Sequence, residues 1–357
     1  MKILAINPGS TSTKVSVYSD GKIQAVENYQ HSPKDLAHLG PVIKQKDLRK
    51  QCVVKFIEEQ DLTLDDLDAI SARGGTLPAV NAGAYRINEQ MVDYLTHKTR
   101  NPHASSLAAI IAYELKIEYD QTDLPIMIYD SVAVDQFDPV ARLSGLKGAE
   151  RVSGSHALNT RAVAMKVCQE LGTSYQAANL IVCHMGGGIS TSVHQQGRMI
   201  DNISDDEGPM GMDRTGELPL LALFKVIEGC SYEEMVRLNK QEGGIKSYTG
   251  LTDMRQVQAE ADQGNDYYQL VIDAFVYQIA KAIGSLATVL KGKVDRIILT
   301  GGVAHSQRIT QAISDRVAFI APVIVEAGEH EMLALSQGAE RVVLGKEDMQ
   351  EFILNEI

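Results

Sequence analysis

Ile3-Leu4-Ala5-Ile6-Asn7-Pro8-Gly9-Ser10-Thr11-Ser12-Thr13-Lys14 begins as a β-rich apolar run and breaks into a turn of small and hydroxyl residues. Val15-Ser16-Val17-Tyr18 then alternates apolar with polar, and Ser19-Asp20-Gly21-Lys22 has the composition of a tight hairpin turn. Roughly half a chain later comes Leu180-Ile181-Val182-Cys183, followed by His184-Met185-Gly186-Gly187-Gly188-Ile189-Ser190-Thr191-Ser192. Val193 and a turn at Gln195-Gln196-Gly197-Arg198 complete the pattern. Each copy reads strand, turn, strand, glycine turn, strand. Two unrelated hairpins would look alike in the same way, but the half-chain spacing makes a duplicated domain the better account.

Outward from these hairpins, helical and strand segments alternate. Apolar residues fall at helical spacing over 103–116, 157–171 and 219–228, and Ser231-Tyr232-Glu233-Glu234 is a capping box that opens another helix. The stretch 266–291 is apolar on nearly every face, the pattern of a buried central helix. It leads into a strand, Arg296-Ile297-Ile298-Leu299-Thr300, that stops at Gly301-Gly302, and a final helix is expected over about 329–344. The class is α/β, with mixed sheets flanked by helices twice over. The Gly- and Ser-rich segment 145–154 is the best boundary. It gives an N-terminal domain of 1–150, joined by a C-terminal helix at about 335–357, and a second domain of 151–334.

The 357 residues suit two cores, and 44% apolar with 22% charged residues is ordinary globular usage. A net charge of −12 argues against a general electrostatic grip on nucleic acid or an acidic membrane, so an anionic ligand needs local donors. Cys52, Cys168, Cys183 and Cys230 are scattered and form no CxxC pair, as expected of reduced cytoplasmic thiols. The apolar run 3–6 is too short for a signal peptide, and 317–325 is broken by Pro322. An intracellular, cytoplasmic protein is expected.

Three loops have the chemistry to hold phosphate. In the first, Gly9 lets backbone approach a ligand, Ser10, Thr11, Ser12 and Thr13 supply hydroxyls, and Lys14 supplies a point charge. It is not a Walker A loop, because GxxxxGK[ST] and its helix are missing. The second is Gly186-Gly187-Gly188 with Ser190 and Thr191. Taken singly, each reads equally well as an ordinary polar turn, whereas two facing each other across a cleft would clamp a nucleotide's phosphates. The third, Gly301-Gly302-Val303-Ala304-His305-Ser306, follows a strand's carboxyl end, a favoured nucleotide position and also a common strand-to-helix turn.

Taken in order, these motifs resemble those of the acetate and butyrate kinase family along nearly the whole chain. The segment 3–14 is similar to its N-terminal signature, Ser71-Ala72-Arg73-Gly74-Gly75 to its Arg-Gly-Gly or His-Gly-Gly segment, and Tyr129-Asp130-Ser131 to its aspartate-bearing strand end. Ser155-His156-Ala157-Leu158-Asn159 resembles a histidine motif in its butyrate kinase form, and Cys183-His184 through Gly188 the second phosphate hairpin. Asp213-Arg214-Thr215-Gly216-Glu217 looks like the loop carrying the active-site arginine, and Gly328-Glu329-His330-Glu331 like the acidic motif before the last helix. The short chain and the His-Ala-Leu-Asn wording favour butyrate over acetate kinases.

The resemblance implies two actin-like, ribonuclease H-like domains around a nucleotide cleft, with the last helix crossing back to the first domain. It also implies reversible ATP-dependent phosphorylation of butyrate, or a branched short-chain fatty acid, to the acyl phosphate. ATP or ADP with Mg2+ would be the cofactors, and a homodimer or higher homo-oligomer the assembly. Arg214 would contact the carboxylate and the transferring phosphoryl group, because a guanidinium is always charged and forks onto two oxygens. His156 and His184 would donate to developing equatorial charge, and His103 is a weaker match to a family histidine. Asp130 joins the catalytic set and is, with Glu329, a candidate oxygen ligand for magnesium. Asn7, Ser10, Ser12, Lys14, Gly186, Gly187, Gly188, Gly301 and Gly302 would hold ATP, while Glu329 and Asn7 would hold the metal, with Glu331 a neighbour able to substitute.

Two departures bear on the substrate. Many relatives carry phenylalanine before the histidine equivalent to His156, where this chain has Ser155, which leaves room for a longer or branched acyl tail. Acetate kinases also have an arginine at the position of Ile70, a role that Arg73 would take over in the substrate pocket. An acetate or propionate kinase is the first alternative. A non-kinase actin-like ATPase is the second, disfavoured because the chain shows no added DNA- or peptide-binding domain.

Overall fold

The computed structural model describes residues 1–99 and 102–354. Its contacts divide the chain into two compact units, Met1–Asp135 with the segment from His330 on, and Gln136–Glu329.

In the first unit β1 (Lys2–Pro8), β2 (Ser12–Ser19) and β3 (Lys22–Gln30) form an antiparallel meander. β1 pairs in parallel with β4 (Ala69–Arg73), and β5 (Ala84–Arg86) pairs antiparallel with β6 (Ile126–Tyr129), which runs parallel to β4. A short strand, Met349–Glu351, adds to β5, so the order is C-terminal strand–β5–β6–β4–β1–β2–β3. The runs in β1, β4 and β6 are apolar nearly throughout because helices Ser106–Glu118 and Glu331–Val343 pack on this part of the sheet.

In the second unit β7 (Asn179–Met185), β8 (Ile189–Gln195) and β9 (Arg198–Ile203) form another antiparallel meander. β10 (Arg296–Gly301) and β11 (Val323–Ala327) extend it in parallel, giving the order β11-β10-β7-β8-β9. The orders β6-β4-β1-β2-β3 and β11-β10-β7-β8-β9 match strand for strand, in direction as well as position. The likeness reaches single residues. Both second hairpins close on a two-residue turn with positive φ at each position, Asp20 (52°) and Gly21 (79°) in one, Gln196 (51°) and Gly197 (83°) in the other. A bulge interrupts each at the same place, between Val17 and Tyr18 and between Val193 and His194. The expected α/β duplication is therefore present.

Several elements differ from the sequence reading. Gln136 and Asp138 bond to β9, through Met199 N–H to Gln136 Oε1 and Asp138 N–H to Ile200 O, so contacts divide the chain before the Gly/Ser stretch at 145–154. Helix Asp266–Ala287 buries Val271, Phe275, Ile279, Ile283 and Leu286, but leaves Leu270 and Tyr277 63% and 52% exposed. Its all-round apolar composition thus combines a core face with an uncovered one. Among the described residues it is the one helix long and apolar enough to cross a membrane, and half of that stretch is buried in its own unit. Helix Leu220–Val226 forms as expected yet exposes Leu220, Leu221, Phe224 and Val226. The C-terminal element expected at about 335–357 is helical only to Val343, and 355–357 lie outside the described residues.

His194 on β8 is fully buried, with Nδ1 2.7 Å from Tyr175 Oη and Nε2 2.8 Å from Ser192 Oγ. Burial, and secondarily the Arg161 cation, push its pKa down to about 3. An unfolded histidine takes up a proton near pH 6.5 that this folded one refuses. Its contribution is therefore full above pH 6.5 and lost as pH falls from there toward about 3. Denaturant titrations at pH 7 and pH 5 should show His194→Gln losing less stability than the parent, by roughly 1 kcal/mol per pH unit. Parallel losses in the two proteins would assign the acid sensitivity to other groups.

Candidate active site

In the first unit the turn between β1 and β2 is closed by Gly9 N–H to Ser12 O at 2.9 Å, and it is held from within by Arg49 on helix Lys46–Glu59. The Arg49 guanidinium is completely buried and donates to Gly9 O (2.9 Å), Ser12 O (2.6 Å), Thr13 Oγ1 (3.3 Å), Ser10 O (3.2 Å) and Gln45 Oε1 (3.0 Å). Ser10 is exposed, and Ser12 and Lys14 are half-buried. Asn7, at the end of β1, donates its Nδ2 to Glu331 Oε2 at 2.7 Å.

Glu331 also pairs with Arg73 at 2.9 Å, so one carboxylate bridges Asn7 and a buried arginine. Arg73 ends β4, and the glycines after it let the chain squeeze past two serines. A methyl group at Gly75 would collide with Ser106, and one at Gly74 would lie 2.6 Å from Ser131 Cβ. Ser131 Oγ donates to Gly75 O at 3.0 Å and fixes this corner. Asp130 beside it is buried at φ 41°, a left-handed conformation uncommon for a side-chain-bearing residue, and its Oδ1 accepts from Gly83 N–H at 2.8 Å. His103 Nδ1 accepts from Ser105 N–H at 3.2 Å and lies 2.8 Å from Ser105 Oγ. Surrounding protein and the Arg73 and Arg49 cations lower the pKa of this imidazole, although the residue keeps an open side.

In the second unit His184 lies on β7 opposite Ser190, as Asn7 lies on β1 opposite Lys14, so the two occupy equivalent places in the duplicated meander. The His184 and His156 rings stack, with centroids 4.0 Å apart and planes at 15°. His156 Nδ1 lies 2.8 Å from Ser190 Oγ at the start of helix Ala157–Glu170. Adjacent Ser155 is buried, and among the described residues its hydroxyl meets no hydrogen-bond partner. His184 Nε2 is 3.4 Å from Glu329 Oε1, and Glu329 is 52% exposed. A methyl group at Gly186 would sit 3.2 Å from His184 Nε2. Glycine there keeps a side chain off both that nitrogen and Glu329 Oε1.

The other two glycines of the turn serve packing. Met212 N–H donates to Gly187 O at 2.8 Å, and a side chain at Gly188 would lie 2.7 Å from Asp205 Cβ and 3.2 Å from Arg214 Cγ. The loop bearing Arg214 therefore rests directly on the triple-glycine turn. It is pinned by Gly211 N–H to Arg214 O (2.9 Å), Ile245 N–H to Gly211 O (3.0 Å) and Thr215 N–H to Asn239 O (3.1 Å). The Arg214 guanidinium pairs with Asp213 and lies 3.4 Å from Asp205 Oδ2, while Lys240 pairs with Asp205 at 2.8 Å. Gly301 has φ 88°, and a methyl group on it would lie 2.5 Å from Met185 O, so its role is close passage of β10 beside β7. Gly302 faces open space.

The second unit thus gathers His156, His184, Gly186, Gly187, Gly188, Arg214 and Glu329, with Ser155 adjoining. The first gathers Asn7, the 9–12 turn, Arg73 and Glu331. Arg49, Asp205, Gly211, Lys240 and the Asn159–Thr300 pair described below escaped the sequence reading. Each acts over a long sequence separation, and only Asn159 carried a motif signal. Among the described residues no three His, Cys, Asp or Glu side chains converge as a metal cage.

The family model for the acetokinase family matches residues 147–353. A probable butyrate kinase of Enterococcus faecalis is 42% identical over 349 residues, 97% of this chain and 96% of that protein. Butyrate kinase 1 of Clostridium acetobutylicum is 39% identical over 355 residues, 98% of this chain and 99% of that protein. Among solved structures, Porphyromonas gingivalis acetate kinase aligns with a TM-score of 0.77 at 17% identity, covering 95% of this chain and 99% of that one. At that identity the likeness speaks for the fold alone.

Proposed function

The chain belongs to the acetokinase family, and on that premise we propose that it phosphorylates butyrate or a branched short-chain fatty acid with ATP, by direct in-line transfer. As a family member with butyrate kinase relatives near 40% identity, it is a short-chain carboxylate kinase. The choice of acid, the residue roles and the assembly are our reading. The observation that carries it is the triple-glycine turn, with buried His184 Nε2 beside Gly186 and Arg214 resting against Gly188.

Attack of a carboxylate on a polyanion needs charge neutralised and the reactants aligned. Arg214 would fork onto the acyl carboxylate and the transferring phosphoryl group, released from Asp213 as it does so. His184 and His156 would donate to the equatorial oxygens, and Asp130 would complete the catalytic set. Within the first unit the 9–12 turn and Lys14, and within the second the glycines 186–188 and the Gly301-Gly302 corner, are the loops we assign to nucleotide contacts. Arg73, already neutralised by Glu331, and His103 would lie toward the carboxylate. For magnesium we assign oxygen donors unit by unit: half-exposed Glu329 in the second, and in the first the Asn7 amide oxygen, since Asn7 Nδ2 is engaged by Glu331. When bound it would neutralise phosphate charge. Exposed Leu220, Leu221, Phe224 and Val226, with Leu270 and Tyr277, favour a homodimer that covers them. A cytoplasmic location completes the reading.

The test is acyl phosphate formation trapped with hydroxylamine, using Mg-ATP and a panel from acetate to isovalerate. A maximum at four or five carbons is expected. A maximum at acetate or propionate would overturn the acid, and ATP hydrolysis without carboxylate dependence would overturn the kinase mechanism. Ser155 sets the companion prediction. Filling its place with phenylalanine should raise kcat/KM for acetate relative to isobutyrate by about 15-fold, from about 0.8 kcal/mol for each of two methylenes excluded. An unchanged ratio would remove Ser155 from the acyl pocket.

A further inference from the structure

Asn159, His184 and Thr300 meet inside the second unit, 1%, 2% and 0% exposed, where helix Ala157–Glu170 crosses β7 and β10. Their hydrogens can be counted. Thr300 Oγ1 lies 3.2 Å from Gly328 O, which can only accept, so the single hydroxyl hydrogen is committed there. Thr300 Oγ1 must then accept from its other neighbour, Asn159, at 3.1 Å. That requirement turns the amide with its NH2 toward Thr300. The same nitrogen lies 3.0 Å from His184 Nδ1, so its second hydrogen makes Nδ1 an acceptor. A neutral imidazole whose Nδ1 accepts carries its proton on Nε2. Among the described residues Nε2 makes no hydrogen bond; it lies beside Gly186 of the triple-glycine turn, with the Glu329 carboxylate 3.4 Å away as the acceptor an incoming anion would displace or share.

We infer that Asn159 is a positioning residue: anchored through Thr300 to the Gly328 carbonyl, it holds His184 in the Nε2–H tautomer and aims an N–H donor at the anion seated on the 186–188 turn. The inference deepens the proposed function and rests on its reading of that turn as a phosphoryl site. Asparagine is suited because one sp2 nitrogen presents two hydrogens at a fixed angle. Aspartate has the same shape but only accepts, so it would draw the proton to Nδ1 and leave neutral Nε2 as a lone pair facing the anion. Leucine would leave the tautomer unenforced.

The tautomer is directly readable in the 15N-labelled full-length chain, with His184→Gln used to assign the His184 ring signals. In the parent, Nε2 should resonate as the protonated nitrogen and Nδ1 as the unprotonated one, and Asn159→Asp should exchange the two. A proton on Nδ1 in the parent, or no change in the aspartate variant, would overturn the inference. Activity is the second readout. Asn159→Asp should lower kcat by about 100-fold or more, the usual loss of one transition-state donor, with KM for ATP within threefold. Thr300→Val should lower kcat about tenfold and weaken the tautomer preference, while Thr300→Ser, which keeps the hydroxyl, should behave as the parent. The expected spectra with unaltered kcat would uphold the positioning role and strike down His184 as a phosphoryl donor, so the two ideas fail separately.

Discussion

Arg214→Ala will lower kcat about 1,000-fold, with the melting temperature nearly unchanged. Two carboxylates, Asp213 and Asp205, hold this guanidinium against the triple-glycine turn, and neither loses its only support when the arginine goes. Asp205 keeps Lys240 at 2.8 Å, and Asp213 is partly exposed to water. The paired side chains are 23–31% exposed and each carboxylate keeps another contact or water, so their loss costs about 1 kcal/mol. Catalysis is another matter. Two anions must approach within bonding distance, and a preorganised cation at that point supplies about 3–4 kcal/mol to the transition state. Lysine will recover little of it, because an ammonium cannot bridge a carboxylate and a phosphoryl oxygen in one plane. The check is kcat for hydroxamate-trapped product, alongside thermal unfolding. Should the alanine variant keep more than a tenth of its kcat, Arg214 is a strut for its loop and the transferring charge is met elsewhere, with Arg73 the next candidate.

The fold was legible because its decisive features are local. Asp20-Gly21 and Gln196-Gly197 announce their turns through φ preferences that any reader of sequence can apply, and the apolar runs beside them have no other use than as sheet strands. The candidate site was legible only where a residue type is scarce and motif-bound, as with His156, His184 and Arg214. What stayed hidden depends on partners far along the chain. The triple glycine read as room for phosphate, but side chains at Gly187 and Gly188 would meet Asp213, Asp205 and Arg214, roughly twenty residues away in sequence. The boundary at 145–154 followed composition, whereas the chain's allegiance is decided earlier by hydrogen bonds of Gln136 and Asp138 to β9. Asn7 and His184 share one place in two copies of a meander, and only strand register reveals that. Arg49, in an otherwise ordinary helix with lysines at 46 and 50, offered no sign that it alone among the helix's basic residues is buried.

Arg49 carries the largest stability effect. Its guanidinium meets three backbone carbonyls, a threonine hydroxyl and a glutamine oxygen, and no carboxylate appears among these partners. The cation is thus balanced by dipoles, chiefly the carbonyls of the 9–12 turn pointing back at it. Thr13 Oγ1 accepts from Arg49 and lies 2.8 Å from His31 Nε2, and burial followed by the Arg49 charge lowers the His31 pKa. Methionine fills the space of the stem but takes the Arg49 donors away from Gly9 O and Ser10 O, at about 1–3 kcal/mol each before relaxation, while Ser12 O keeps the Gly9 N–H. A net loss of about 4 kcal/mol is expected, the range for deleting one side of a buried charged network. For a unit of this size that lowers its melting temperature by roughly 10 °C. The turn that loses its anchor is the one proposed to face the nucleotide, so KM for ATP should rise at least tenfold while kcat at saturation falls less. Lysine at 49 keeps the charge but reaches the ring of carbonyls from a single nitrogen. It should restore part of the stability and little of the ATP affinity. Calorimetry and ATP titration of Arg49→Met and Arg49→Lys separate the outcomes. Unaltered melting would mean that the guanidinium does not hold the turn; a lowered melting temperature with the parent's KM for ATP would mean that it holds a turn the nucleotide never touches.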